Sequence, residues 1–316
     1  MTVLCGLCPH NCQLKEEQTG LCRVRTNVGG KVVDSYFGKL SALGMDPIEK
    51  KPLYHFYPGR QILSAGFYGC SFRCPFCQNY SISQNVGMYN HQTSPQELVD
   101  LALSKKSFGI AYTYSEPLVH FEYLMETAAL ARKAGLKNVL VSNGFINPGP
   151  ASELLPLLDA ANIDLKSFNA DFYRKELKGE LTAVMNFIET AHQKIHLEVT
   201  TLVIPGKTDD PGEMSALTAF LASLNPDIPF HLSAYYPQYN YTVQATSPEK
   251  ILKMVEIAKK RLRYVYPGNI SRGDSDTHCR SCGTVLINRR GFEADIRLSP
   301  AGTCPECGAP GPVVMN

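Results

Sequence analysis

Between residues 61 and about 268 the chain alternates short apolar runs with longer amphipathic stretches. The apolar runs at 62–68, 108–114, 137–142, 161–165, 195–203 and 229–234 have the length and composition of buried strands. The stretches at 94–106, 117–134, 150–158, 181–194, 212–224 and 248–263 have helical spacing. The first of these opens like a capping box, with Ser94 at the N-cap, Pro95 at N1 and Glu97 at N3. Gly135 suits the position just past the second. Six strand–helix units in series predict an α/β fold, a parallel sheet with helices outside it, closed or partly closed as a barrel. Right-handed crossovers then bring the C-terminal end of every strand to one rim.

The flanks differ from this middle. Residues 1–60 read as irregular, with cysteines first and then the loop-like run D-P-I-E-K-K-P-L-Y-H-F-Y-P-G at 46–59. That run is expected to cover the barrel mouth or dock a partner, or else to act as a connector stiffened by Pro47, Pro52 and Pro58. Residues 269–316 are rich in Gly, Pro and Cys and poor in core residues. The predicted organisation is therefore 1–60, 61–268 and 269–316. With 316 residues, 44% of them hydrophobic, one large unit plus small appendages is the natural arrangement.

Candidate chemistry follows the strand ends. Ser115 and Glu116 come after the second strand, and Ser142 and Asn143 after the third. Asp164 and Lys166 end the fourth, Pro205-Gly206 follows the fifth, and His231 and Ser233 share one face of the sixth. With the cysteine-bearing loop after the first strand, chemistry falls at six strand ends on one rim, which describes a site better than six unrelated loop caps.

The cysteines give that rim a chemistry. There are eleven, in groups of four, three and four: Cys5, Cys8, Cys12 and Cys22; Cys70, Cys74 and Cys77; Cys279, Cys282, Cys304 and Cys307. An odd total and a start without a signal-peptide pattern point to metal ligation in a reducing cytoplasm rather than to disulfides. Three thiolates on a cubane iron–sulfur cluster leave one iron open, whereas four close a shell. The alternative for the middle three is a zinc knuckle with a fourth ligand from elsewhere. The C-terminal pattern is two C-x-x-C pairs, each followed by Gly, separated by 21 residues. It describes a zinc-ribbon or rubredoxin-like module, most simply a structural Zn2+ site with iron as the rival. The N-terminal four suit zinc or an auxiliary iron–sulfur cluster equally, and His10 lies between them.

Charge and hydropathy narrow the partners. A net charge of +2 excludes a global basic field, and no apolar run is long enough to span a membrane. From Lys250 to Arg297, however, eleven Lys and Arg stand against five Asp and Glu. This is either a solvated helix face and module surface or a site for an anionic partner such as RNA.

The run C-S-F-R-C-P-F-C at 70–77 resembles the signature of the radical S-adenosylmethionine (radical SAM) superfamily. The resemblance implies a partial (βα)6 barrel and a 4Fe-4S cluster on Cys70, Cys74 and Cys77. It further implies that S-adenosyl-L-methionine (SAM) chelates the open iron. An external one-electron donor of flavodoxin or ferredoxin type would reduce the cluster, and the 5′-deoxyadenosyl radical so formed would abstract hydrogen from a substrate. By the same resemblance Ser115-Glu116 takes the place of the acidic group that holds the methionine ammonium, although the usual Gly-Gly-Glu is absent. Ser142 and Asn143 fall where carboxylate or ribose is bound. Asp164 and Lys166 match the D-x-K run of glycyl-radical-enzyme activases, and Val203-Ile204-Pro205-Gly206 also looks like those enzymes. His231, Ser233 and Tyr235 fall near the adenosine. Val141 stands where those activases often carry an acidic residue for a monovalent cation, which counts against that cation site here. Together C-G-L-C-P-H-N-C at 5–12, the run at 46–59, F-R-C-P-F-C-Q-N at 72–79 and the C-terminal pairs resemble the radical SAM component of the AmmeMemoRadiSam system, formerly grouped with pyruvate-formate-lyase activase-like proteins. That resemblance implies AMMECR-domain and MEMO-like partner proteins. The expected substrate is a polypeptide or RNA. The alternatives are a glycyl-radical-enzyme activase, or a non-catalytic zinc and iron–sulfur module that binds RNA or protein.

Overall fold

The computed structural model describes residues 1–86 and 92–315. Two short antiparallel pairs open the chain, β1 (Val3–Leu4) with β2 (Gln13–Leu14) and β3 (Arg25–Val28) with β4 (Lys31–Asp34). One sheet follows, made of β5 (Ala42–Pro47), β6 (Gln61–Gly66), β7 (Gly109–Thr113), β8 (Lys137–Ser142), β9 (Ala160–Asp164), β10 (His196–Val203), β11 (Phe230–Ala234) and β12 (Val265–Gly268). The strands lie side by side in chain order. All neighbours from β6 to β12 are parallel, and β5 is antiparallel to β6. Among the described residues β5 and β12 do not pair, so hydrogen bonding does not close the barrel.

The six predicted strands are β6 to β11. Six helices accompany them, at Pro95–Ser104, Phe121–Lys133, Pro148–Leu154, Leu181–His192, Pro211–Leu224 and Pro248–Lys259. The capping box is formed: the Ser94 hydroxyl accepts from Glu97 N, and the Glu97 carboxylate accepts from Ser94 N at 2.7 Å.

Two strands of this sheet were not predicted, and both lie at its edges; β1 to β4 likewise fall in the stretch expected to be irregular. β12 contains Pro267, which cannot donate to a ladder and is tolerated where one side of the strand is unpaired. β5 has a mostly exposed pattern with Gly44 and Pro47, which hides a strand from any test of apolar periodicity.

The parallel strands bury both faces. On one, Leu63, Ile110, Leu140, Ala161, Val199 and Leu232 pack with the helices. On the other, Ile62, Ala111, Val139 and Ala160 meet Ile48, Leu53 and Phe56 of the 48–60 connector. Because that connector joins antiparallel β5 and β6, it lies at the N-terminal end of β6. It plugs the floor of the barrel. This corrects the expectation that the run at 46–59 covers the mouth.

A buried carboxylate organises the floor. Glu198 of β10 accepts from the backbone N–H of Tyr54 at 2.9 Å and of His55 at 2.7 Å. It also accepts from His196 Nε2 at 3.0 Å and His231 Nε2 at 2.7 Å. A second chain of hydrogen bonds ties in the C-terminal module, an antiparallel sheet of β13 (Thr277–His278), β14 (Val285–Arg290) and β15 (Glu293–Ile296). Arg289 donates to Thr277 Oγ1 at 2.7 Å and to Tyr54 O at 2.6 Å, with its guanidinium over the Tyr54 ring. Thr277 and Tyr266 share a 2.9 Å bond, and His55 Nε2 lies 2.6 Å from the Tyr266 hydroxyl. Burial pushes the His55 imidazole down to about 3, so it is neutral. Its Nδ1 donates to Pro312 O at 3.1 Å, so its Nε2 accepts from Tyr266. Beyond the module, Val314 exchanges backbone bonds of 2.8 Å with His55 and Tyr57.

Candidate active site

The loop after β6 holds Cys70, Cys74 and Cys77. Cys74 is buried and the other two are half-buried. Donors point at the sulfurs: Phe72 N is 3.3 Å and Asn143 Nδ2 3.8 Å from Cys70 Sγ, and the Ser83 hydroxyl is 3.2 Å from Cys77 Sγ. Burial pushes the Cys74 thiol up to about 12, although Lys166 works against that shift. A buried thiolate here needs a cation beside it, which a metal supplies. Three such sulfurs, ringed by donors and by apolar groups, fit a thiolate-bound cluster.

Two aromatic side chains of the loop wall it off. Phe72 packs on Phe145 at 5.0 Å and on Tyr173 at 5.9 Å between ring centroids. Phe76 stacks on Phe172. Gly179 allows this, since a Cβ there would sit 2.3 Å from the Phe72 ring. Gly179→Ala is expected to displace Phe72 and lower the unfolding free energy by about 1–3 kcal/mol, measured by denaturant unfolding.

The residues expected at the strand ends gather next to this loop. Glu116, fully buried, caps the turn Pro117–His120. Its Oε1 accepts from Ser142 Oγ at 2.7 Å and Leu118 N at 3.0 Å, and its Oε2 from Asn143 N at 2.8 Å. Burial pushes its carboxyl up to about 7, against the pull of these bonds. Asn143 then reaches the cysteine loop, donating to Ser71 Oγ at 3.0 Å. Lys166 pairs with Asp164 at 2.9 Å, and both act on the Cys74 thiol electrostatically. One polar network thus joins Ser142 and Asn143 to Glu116, with Asn143 going on to Cys70 and with Asp164 and Lys166 on the Cys74 side.

Three expected residues are placed otherwise. Ser115 donates to Phe67 O at 2.9 Å, which ties down the loop after β6. Ser233 is partly exposed near the end of β11, beside Gly268 of β12. His231 is turned to the floor, bonded to Glu198 and 4.7 Å from the Tyr54 ring, and does not join the group around Cys70.

Some contributors were missed. Glu198 is one, and its signal was present: His196, Glu198 and Thr200 alternate along one face of β10. Another is Lys51, buried against Asp46 at 2.8 Å and Tyr114 at 3.1 Å. Tyr114, just past β7, adopts φ +69°, an uncommon conformation for a non-glycine residue. It links a rim turn to the floor connector, a long-range contact that no local pattern announces.

The outer cysteines form two different arrangements. Cys279, Cys282, Cys304 and Cys307 bring their sulfurs within 4.8 Å of one another, with Cys279–Cys307 and Cys282–Cys304 at 3.6 Å. Gly283 N donates to Cys279 O and Gly308 N to Cys304 O, both at 2.9 Å, with left-handed φ at both glycines. These are paired knuckles, and the group is within metal-binding distance. Cys5, Cys8, Cys12 and Cys22 cluster more loosely. Among the described residues no three of them meet the same 4.8 Å limit, nor do Cys70, Cys74 and Cys77.

A family model described as the radical SAM superfamily matches residues 66–218. An uncharacterised protein of Methanocaldococcus jannaschii is 38% identical over 316 residues, spanning 97% of this chain and 94% of that one. The pyruvate formate-lyase-activating enzyme of Listeria monocytogenes is 26% identical over 187 residues, 53% of this chain and 74% of the enzyme. Streptococcus suis SuiB bound to S-adenosylmethionine shares the fold with a TM-score of 0.53 at 11% identity, over 68% of this chain and 50% of that one. The chain belongs to the radical SAM superfamily. It is a radical SAM enzyme, and membership implies a 4Fe-4S cluster, SAM and a source of reducing electrons.

Proposed function

We propose that Cys70, Cys74 and Cys77 ligate the catalytic cluster and that Glu116, Ser142, Asn143, Asp164 and Lys166 hold SAM against it. The observation that carries this reading is the set of hydrogen bonds that joins Ser142 and Asn143 to Glu116, with Asn143 going on to the Cys70 loop. When bound, the reduced cluster supplies the electron that splits SAM into methionine and a 5′-deoxyadenosyl radical. Glu116 presents a buried carboxylate, held in place by three donors, to a cationic ammonium. Lys166, kept charged by Asp164, suits a carboxylate or ribose oxygen. Phe72 and Phe76 keep water from the cluster side. No residue is assigned as acid or base, because hydrogen-atom abstraction moves proton and electron together.

A polypeptide is the proposed substrate, supported by relatives named as activating enzymes of pyruvate formate-lyase. The AMMECR-domain and MEMO-like proteins belong to this proposal as partners, and a flavodoxin or ferredoxin as electron donor. Zn2+ is assigned to the C-terminal four cysteines, supported by their 3.6 Å sulfur pairs. The division at 60/61 and 268/269 is kept as a functional one, with cysteine modules on either side of the catalytic unit. A cytoplasmic location is proposed, supported by eleven cysteines without a disulfide. Among the described residues no helix is long and apolar enough to cross a membrane.

The test is release of 5′-deoxyadenosine from SAM by anaerobically reconstituted protein under dithionite; none at saturating SAM refutes the assignment. Glu116→Gln keeps the shape and removes the charge. It is expected to weaken SAM binding at least about 10-fold, since a hydrogen bond to a charged group is worth roughly 1.5–3 kcal/mol. Equilibrium dialysis measures that change, and the central iron content should stay as in the parent chain.

A further inference from the structure

We propose that Cys5, Cys8, Cys12 and Cys22 hold an iron–sulfur cluster that relays the reducing electron to the Cys70–Cys77 loop. The relay rests on the reading of that loop given above; the metal assignment stands without it.

The four cysteines come from a compact fold of their own. Cys5 N donates to Cys12 O at 2.9 Å across the β1–β2 pair, and Asn11 N donates to Cys8 O at 3.0 Å. Cys5 and Cys22 are buried, while Cys8 and Cys12 are half-buried. The spacing of the sulfurs separates two kinds of metal. Around one tetrahedral ion, with bonds of about 2.3 Å, thiolates stand about 3.8 Å apart. The C-terminal group has that spacing and the N-terminal group does not. Thiolates bound to different irons of one cluster stand farther apart than thiolates sharing an ion, which is the looser arrangement seen here.

Contact with the catalytic loop gives the cluster its role. The Cys70 N–H donates to Cys22 O at 3.2 Å, and His10 Nε2 donates to Ser71 O at 2.8 Å. Gly69 makes the approach possible: it has φ +74°, and a Cβ there would lie 2.4 Å from Cys22 O. From one sulfur to the other, the path crosses the covalent bonds of two residues and a single hydrogen bond. A metal with a purely structural role would not require its ligand to touch the ligand of another. Leu21 and Arg23, exposed on either side of Cys22, leave the far side open to a donor protein. The step is one electron throughout. The flavodoxin or ferredoxin is oxidised, the N-terminal cluster is reduced and then reoxidised, and the catalytic cluster is reduced. No bond or proton changes place in the relay.

Two variants test it. In the Cys70→Ala/Cys74→Ala/Cys77→Ala chain, purified anaerobically, at least about two irons with matching sulfide should remain, with a reducible electron paramagnetic resonance signal. About two zinc ions per chain and negligible iron would overturn the cluster. In Cys8→Ser/Cys12→Ser the central cluster should remain and its signal should still respond to SAM. Its reduction by photoreduced flavodoxin should slow at least 10-fold, read by freeze-quench resonance; an unchanged rate would overturn the relay. If that variant loses the central cluster, the parent chain decides. The N-terminal signal must then rise before the central one, and simultaneous or reversed order overturns the relay. A failed SAM response in the parent chain would instead count against the catalytic reading.

Discussion

A Cys74→Ala chain is expected to release no 5′-deoxyadenosine above the background of reductant and SAM alone, and to lose about four irons per chain with the activity. Cys74 is the most deeply set of its three and is flanked in sequence by the buried Phe72 and Phe76, so a solvent-borne ligand has little access to its place. The effect is expected to be complete because the cofactor carries the bond-breaking chemistry and the polypeptide offers no second route to it. The fold should persist, since the cysteine sits on a loop and the sheet does not depend on it. Metal analysis and a thermal melt on the same sample distinguish loss of the cluster from loss of the protein. A variant that still made 5′-deoxyadenosine at the parent rate would remove these cysteines from the catalytic role.

Glu198→Ala is expected to lower the unfolding free energy by about 3–5 kcal/mol, the range for breaking a buried charged pair by deleting one partner. Four donors lose their acceptor at once: Tyr54 N, His55 N, His196 and His231. The same carboxylate sets an acid response. Burial alone would raise its pKa, but hydrogen bonds from the two histidines and their charge more than reverse this and hold it well below the ordinary 4.5. A carboxyl whose folded pKa is depressed stabilises the fold at pH above its unfolded value, and that contribution fades as pH falls through the folded one. From pH about 4.5 downward, the parent chain should therefore lose stability more steeply than Glu198→Gln. Denaturant titrations at several pH values measure both effects. A loss under about 1 kcal/mol for the alanine variant would mean the floor connector holds without this carboxylate.

Sequence patterning located the parallel core because the strands there are short, mostly apolar runs and three of the helices open on a capping side chain, Ser94, Asp210 and Ser247. It failed at β5 and β12, edge strands that tolerate proline, glycine and exposed side chains. The cysteine signature and the Glu116, Ser142 and Asn143 positions were legible because parallel strands deliver their ends to one rim. His231 was not placed correctly by the same logic. Period two says which face a strand residue shares, while depth along the strand decides whether it meets the rim or the floor. The connector at 46–59 was misplaced for a similar reason: its position follows from β5 being antiparallel, and β5 was not visible. The contrast between the two outer cysteine groups lies in sulfur spacing, which sequence separation does not encode.

The floor also decides how matter moves through the protein. With Ile48, Leu53 and Phe56 wedged among the strand starts and the C-terminal tail laced across them, the barrel is stopped at its floor and, among the described residues, passage along its axis is blocked at that end. A molecule that approaches the cysteine loop along the barrel axis has to come from the rim side. A long polymer cannot thread through; it has to offer a chain end or a looped-out segment. Methionine and 5′-deoxyadenosine moving along that axis must leave toward the same side before the next turnover. A bulky attachment beside Val314, which is bonded to His55 and Tyr57, would burden the closed floor.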